Sequence, residues 1–161
     1  GLAFLQILKG MGYYPIYIMG RNIIRNKLAS KFHADKVFTS IDSLMGSDIT
    51  GKADIVVEAT GSNDVLAKTT DIVSPGGKIL AFAVYPPDEK VGIDANKIYS
   101  KEITIMGDFI NPYTMQKSIN ILNSGLIDYK SMADHIIGVD GIGEIFESGK
   151  KDFVKTIIQY K

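Results

Sequence analysis

Residues 54–84 read DIVVEATGSNDVLAKTTDIVSPGGKILAFAV, and their order decides the fold class. Asp54–Ala59 is an apolar run bounded by turn residues, the pattern of a buried strand. Thr60-Gly61-Ser62 punctuates it. Asp64–Val73 reads as a helix, and Pro75-Gly76-Gly77 as the turn after it. Lys78–Val84 is the strongest strand signal of the chain, and Pro86-Pro87 stops it. Strand, helix and strand joined by short turns predict parallel pairing.

The alternation continues in both directions. Upstream, Leu2, Leu5, Ile7, Leu8 and Met11 follow a helical period that Gly10 and Gly12 end. Pro15 opens a strand at Ile16–Met19, closed by Gly20. Ile23, Ile24, Leu28 and Phe32 suit a second helix capped by Asn22. Lys36–Thr39 reads as a strand, and Ser40–Lys52 as a short helix and a loop. Downstream, residues 85–100 read as a loop and Glu102–Met106 as a strand. Asn111-Pro112 predicts a helix start, Asn as cap and Pro in first position, and Gly125 ends that helix. Ala133–Val139 and Phe153–Tyr160 predict strands flanking a helix at Ile142–Ser148. The pattern is that of an α/β protein with a doubly wound parallel sheet.

Composition bounds the function. Hydrophobic residues make up 45% and charged residues 22% of the 161, which argues against a disordered or fibrous chain. The formal net charge of zero gives no pull toward nucleic acid or anionic lipid, so neither partner is expected. No apolar run reaches the roughly 18–20 residues that span a bilayer, and no signal-peptide pattern opens the chain. Cysteine is absent, so no disulfide framework or thiolate metal site arises from these residues. A reducing, cytoplasmic setting is the expectation. The chain runs from Gly1 straight into a helical pattern, which reads as a fragment.

In a doubly wound sheet, ligands bind beyond the carboxyl ends of the strands. The first such end is Met19-Gly20-Arg21-Asn22. Dinucleotide folds place an acid there for the adenosine ribose hydroxyls. Here Gly20 leaves room, and Arg21 supplies charge with Arg25 at i, i+4 spacing. Guanidinium groups bind phosphate through paired hydrogen bonds, so a 2′-phosphate fits; two solvated arginines on a helix start are the plainer alternative. The next ends, Glu58-Ala59-Thr60-Gly61 and Phe82-Ala83-Val84, carry small residues that let a flat ring approach the backbone, or that simply make tight turns. Met106-Gly107-Asp108-Phe109 closes a further strand beside the same ring. His33 and His135 are the only histidines, and no Cys/His/Glu cluster has zinc spacing. Asp54 and Glu58 read as turn residues rather than acid–base groups. The residues thus offer a place for a cofactor and no machinery for chemistry.

The ordered series GLAFLQILKGMG, YIMGR, DIVVEATG, SPGGKILAFAVYPP, EITIMGDFINPYTMQKSINILNSGLID and ADHIIGVDGIGEIFE resembles the C-terminal half of zinc-type medium-chain dehydrogenases, with polyol, sugar-alcohol and threonine dehydrogenases nearest. The resemblance covers essentially the whole chain. It implies a Rossmann-like domain over 1–131, lacking its first strand, and a return segment over 132–161 whose strands belong to a catalytic domain. The strands at 16–19 and 54–59 would then not pair. Gly1 would be the last glycine of the G-x-G-x-x-G turn that binds pyrophosphate at a helix N-terminus. Lys155 matches a basic position that reaches the pyrophosphate. Zinc and the proton relay belong to the N-terminal half, so these 161 residues alone should be inactive. The implied reaction is hydride transfer between an alcohol or polyol and NAD(P), with NADP favoured because Gly20 replaces the acid. Pairing into a homo-oligomer through the strand at 102–106 is also implied. A non-catalytic nucleotide-binding or regulatory module is the other reading. A methyltransferase-like domain is disfavoured by Gly20-Arg21.

Overall fold

The computed structural model describes residues 1–110, 112–148 and 153–160. In chain order its elements are α1 (Leu2–Gly10), β1 (Tyr17–Met19), α2 (Ile23–Lys31), β2 (Lys36–Phe38), α3 (Ile41–Met45), β3 (Ala53–Glu58), α4 (Asn63–Ile72) and β4 (Val73–Ala81). There follow α5 (Ala95–Lys101), β5 (Thr104–Gly107), α6 (Met115–Asn123), α7 (Tyr129–Met132), β6 (His135–Ile137), a 3-10 turn at Val139–Gly141, α8 (Ile142–Ser148) and β7 (Thr156–Ile158). Among the described residues every strand pairing is parallel: β1 with β2, β3 with β4, β4 with β5, and β6 with β7. No ladder joins β1 to β3. No helix among the described residues is long and apolar enough to cross a membrane.

The chain forms two compact units, Gly1–Thr39 with Tyr113–Lys161, and Ser40–Pro112. In the first, Leu5, Ala29 and Phe32 form a buried cluster. Leu2, Ile16, Ile18, Leu28, Val37 and Met132 pack against it. Leu5 is fully buried, worth roughly 2–3 kcal/mol of transfer free energy. α1 stops where Gly10 lets Leu126 close in: a Cβ there would lie 2.1 Å from Leu126 Cδ1. β1 is aligned from outside the ladder by Asp35, whose Oδ2 accepts from Ile16 N–H and from Lys9 Nζ, both at 2.7 Å.

Burial alone would push the Asp35 carboxyl up, but the Ile16 and Lys9 donors outweigh it and hold it below its ordinary value. A lowered folded pKa gives stability that is present above the unfolded pKa and lost as pH falls. Asp35→Asn should therefore cost about 1 kcal/mol near neutrality. Urea melts should show that cost shrinking at about pH 3, below the unfolded carboxylate range. An equal cost at both pH values would contradict the assignment.

In the second unit, Leu66, Val73, Ile79 and Ile103 make the core, with Val56, Ala81, Tyr85 and Val91 packed on it. Side chains cap its helices: Ser62 accepts from Val65 N–H at α4, and Asp94 from Asn96 and Lys97 N–H at α5. Ser40 and Ser43 form a reciprocal capping box at α3. β5 is the edge of the three-stranded sheet, and all four of its residues are exposed.

Several boundaries differ from the sequence expectation. Pro75-Gly76-Gly77 is not a turn between elements but an irregularity inside β4. Ala53 pairs with Val73, and Ile55 already with Lys78. Gly77 fits because a Cβ would lie 2.5 Å from Val73 Cγ2 and 3.0 Å from Asp54 O. β4 ends at Ala81 rather than Val84, because Phe82 and Ala83 N–H both turn to the Glu58 carbonyl, at 3.0 and 3.3 Å. Residues 85–100 are not all loop, since Asp94 starts α5. The following strand begins at Thr104, after Glu102 closes α5 in the left-handed region at φ 53°. α6 starts at Met115 rather than Pro112, since Tyr113 at φ 59° cannot continue a helix; the expected Asn111 cap lies outside the described residues. The late strands shorten to three residues each.

Candidate functional site

In the first unit, the carboxyl end of β1 runs into a tightly fastened turn. Gly20 N–H donates to Phe38 O at 3.0 Å. Asn22 caps α2 as expected, its Oδ1 accepting from Arg25 N–H at 2.9 Å. Between them Arg21 is exposed. Among the described residues it forms no hydrogen bond or ion pair. At this strand end there is no acid, and Arg21 has no hydrogen bond or ion pair among the described residues; the expected room at Gly20 is not open, since a Cβ there would lie 2.9 Å from Asn26 Oδ1.

Arg25 is engaged differently. Its Nη2 donates to Val154 O at 3.4 Å, and its charge acts on Gly1. The Gly1 amino group is pushed below its ordinary pKa, first by burial and then by the Arg25 guanidinium. Residues 154 and 155 are held in turn by Asp134, whose carboxylate accepts from Val154 N–H at 2.9 and 3.0 Å and from Lys155 N–H at 3.1 Å. Burial would raise the Asp134 pKa; the Lys155 and Val154 donors outweigh it and hold the carboxyl low. Arg25 thus lies within electrostatic reach of Gly1 at the start of α1 and is tied to Val154, the chain neighbour of Lys155. That helix has no side-chain cap and no acid in its first turn. A helix N-terminus with a cation near it suits an anion. Asp134 was not read as a site residue, because its role is visible only once β6 and β7 are paired.

In the second unit, Glu58 organises the strand ends. It closes β3 at 2% exposure. Its carboxylate accepts from Thr60 N–H at 2.7 Å, the Thr60 hydroxyl at 2.5 Å, Gly61 N–H at 3.2 Å and the Tyr85 hydroxyl. Burial, then Glu58, pushes the Tyr85 phenol well above its ordinary pKa. Gly61 is at φ +75°, and a Cβ there would lie 2.6 Å from Val84 O. Ala59, Thr60 and Gly61 are therefore brought together with Phe82, Ala83 and Val84. Gly107 sits across from Ala81 in the ladder, with Asp108 and Phe109 exposed beyond it. Glu58 serves a turn, as its sequence position suggested; Tyr85 carried no signal.

Of the two histidines, His33 is exposed after α2, and His135 stacks on Phe153 with centroids 4.5 Å apart. A shallow cleft lined by Asp54, Ile55, Ser74 and Lys78 lies at the amino end of β3, away from the turns. Among the described residues no group of three or more His, Cys, Asp or Glu side chains fits a metal ion, and no residue here is assigned to one.

Comparison with known proteins bears on this arrangement. The sequence model of the zinc-binding dehydrogenases matches residues 1–124. The curated D-arabinitol dehydrogenase 1 of Uromyces fabae is 25% identical over 155 residues, 91% of this chain and 44% of that protein. Among solved structures, a protein of Sinorhizobium meliloti 1021 bound to NADP superposes with a TM-score of 0.91 at 22% identity, over 99% of this chain and 49% of that one. A short chain alcohol dehydrogenase from E. coli CFT073 complexed with NADH superposes at 0.86 and 20% identity, over 99% and 49%. The chain spans less than half the length of these relatives. Their likeness establishes a parallel-sheet, Rossmann-like α/β fold, and the match over residues 1–124 establishes the family: this chain belongs to the zinc-binding dehydrogenases, matching their C-terminal, nucleotide-binding domain.

Proposed function

We propose that this chain is the cofactor-binding part of an NADP-preferring, zinc-type alcohol or polyol dehydrogenase. The observation that carries the cofactor choice is the end of β1, where Gly20 stands in the place of the ribose-binding acid beside Arg21, which has no hydrogen bond or ion pair among the described residues. The fold does not choose, since its neighbours include one protein bound to NADP and one to NADH. Arg21 takes the 2′-phosphate. The start of α1 at Gly1, with Arg25 and Lys155, takes the pyrophosphate. The turns at Ala59–Gly61 and Phe82–Val84, with Gly107, Asp108 and Phe109, serve the nicotinamide ring. The bound cofactor supplies hydride transfer; these residues bind and orient it. The substrate class rests on the D-arabinitol dehydrogenase relative. Zinc and the proton relay are assigned to the catalytic part of the parent protein, so this chain by itself is inactive. The exposed edge at β5 is the surface through which two copies pair, as an unprotected apolar edge needs cover.

The test is a titration of NADPH and NADH into the protein and its Arg21→Ala variant. The variant should bind NADPH roughly 10- to 100-fold more weakly, the scale of charged hydrogen bonds, and NADH less than about threefold more weakly. Equal losses for both cofactors would show that Arg21 does not read the 2′-phosphate.

A further inference from the structure

Gly20 has a close neighbour where a side chain would start. A Cβ built on it would lie 2.9 Å from Asn26 Oδ1 and 4.0 Å from Asn26 Cγ. Carbon and oxygen do not approach that closely without a shift. Moving the Asn26 side chain aside costs the hydrogen bond that its Nδ2 donates to Gly20 O at 2.7 Å. The turn after β1 is therefore fastened twice: Asn26 holds the Gly20 carbonyl, and Asn22 holds Arg25 N–H at 2.9 Å. Arg21 lies between the two fastenings.

We propose that Asn26 determines cofactor specificity, by taking the room that any side chain at position 20 needs and by holding the turn that presents Arg21. An acid at position 20 binds the ribose only if its carboxylate can settle toward the hydroxyls. Here its first carbon meets Asn26. Rotating the amide away breaks the bond to Gly20 O and loosens the turn. Position 20 alone therefore does not switch the cofactor; positions 20 and 26 act as a pair. This rests on the NADP reading above.

The experiment is a double-mutant cycle read in two ways. In the first, NADPH and NADH affinities are measured for wild type, Gly20→Asp, Asn26→Ala and the double variant. Gly20→Asp alone should lose NADPH affinity by about tenfold or more and gain less than about threefold for NADH. The double variant should gain about tenfold for NADH over Gly20→Asp, the scale of a charged hydrogen bond. A full NADH gain from Gly20→Asp alone, with nothing added by Asn26→Ala, overturns the proposal. A wild type that does not prefer NADPH sinks the NADP reading instead, and leaves the coupling between 20 and 26 to be read from the NADH arm. In the second, thermal melts follow Gly20→Ala, which adds only the offending Cβ. It should lower Tm by about 3 °C in the wild-type background and by less than half as much in Asn26→Ala. The same drop in both backgrounds would overturn the proposal without any ligand.

Discussion

Glu58→Ala lowers stability by about 3 kcal/mol, and Tm by roughly 6–12 °C for a chain of this size. The carboxylate is 2% exposed and is the shared acceptor for two backbone N–H groups and two hydroxyls from two separate turns. Removing it leaves those donors to find water where they can, each unsatisfied buried donor costing about 1–3 kcal/mol. Thr60 is exposed enough for solvent to recover part of this, which sets the expectation at the lower end of the sum. Glu58→Gln keeps one acceptor oxygen and should lose about half as much. The Tyr85 share has its own pH dependence. Its folded pKa is raised, so its contribution is complete below the ordinary tyrosine value of about 10 and fades as pH climbs above it. Chemical denaturation at about pH 7 and above about pH 10 measures both parts. A loss under about 1 kcal/mol at neutrality would mean that solvent replaces the carboxylate and that the two turns stand without it.

Gly61→Ala is expected to cost about 3 kcal/mol from two separate causes. At φ +75° an L side chain costs about 1 kcal/mol or more. The new Cβ would also stand 2.6 Å from Val84 O. That oxygen is backbone, so relief requires moving the loop after β4 rather than turning a side chain, at about 1–3 kcal/mol. Gly76 gives the control. It has nearly the same φ, +72°, and nothing within 4 Å of an added Cβ, so Gly76→Ala should show the conformational cost alone, about 1 kcal/mol. Equal losses at the two positions would remove the close approach between the turn after β3 and the loop after β4.

The core of the fold was legible because β3, α4 and β4 carry apolar runs of the right period with Gly and Ser at the joints. Glu58 was legible as a turn residue from its place ahead of Thr60-Gly61. That no acid stands at Gly20-Arg21 was readable directly, because a missing acid is a sequence observation. What stayed hidden depends on partners distant in sequence. Pro75-Gly76-Gly77 reads as a turn whether it separates elements or bulges within one strand, and only the register against β3 decides. α5 has few apolar residues, and its cap, Asp94, is no stronger a signal than any loop aspartate. α6 starts late because Tyr113 adopts a left-handed conformation that Tyr rarely takes. Asn26 and Asp134 act through hydrogen bonds to backbone at Gly20 and at residues 154 and 155, and polar residues on a helix face or before a strand give no hint of that.

The proposed function turns on the end of β1 as the reader of the adenosine ribose. The most direct measurement is a crystal structure of the protein soaked with NADPH. The expected result is the 2′-phosphate within hydrogen-bond distance of the Arg21 guanidinium, over Gly20, and the pyrophosphate at the start of α1. A cofactor whose 2′-phosphate points to solvent, or whose adenosine lies away from Gly20, would contradict it.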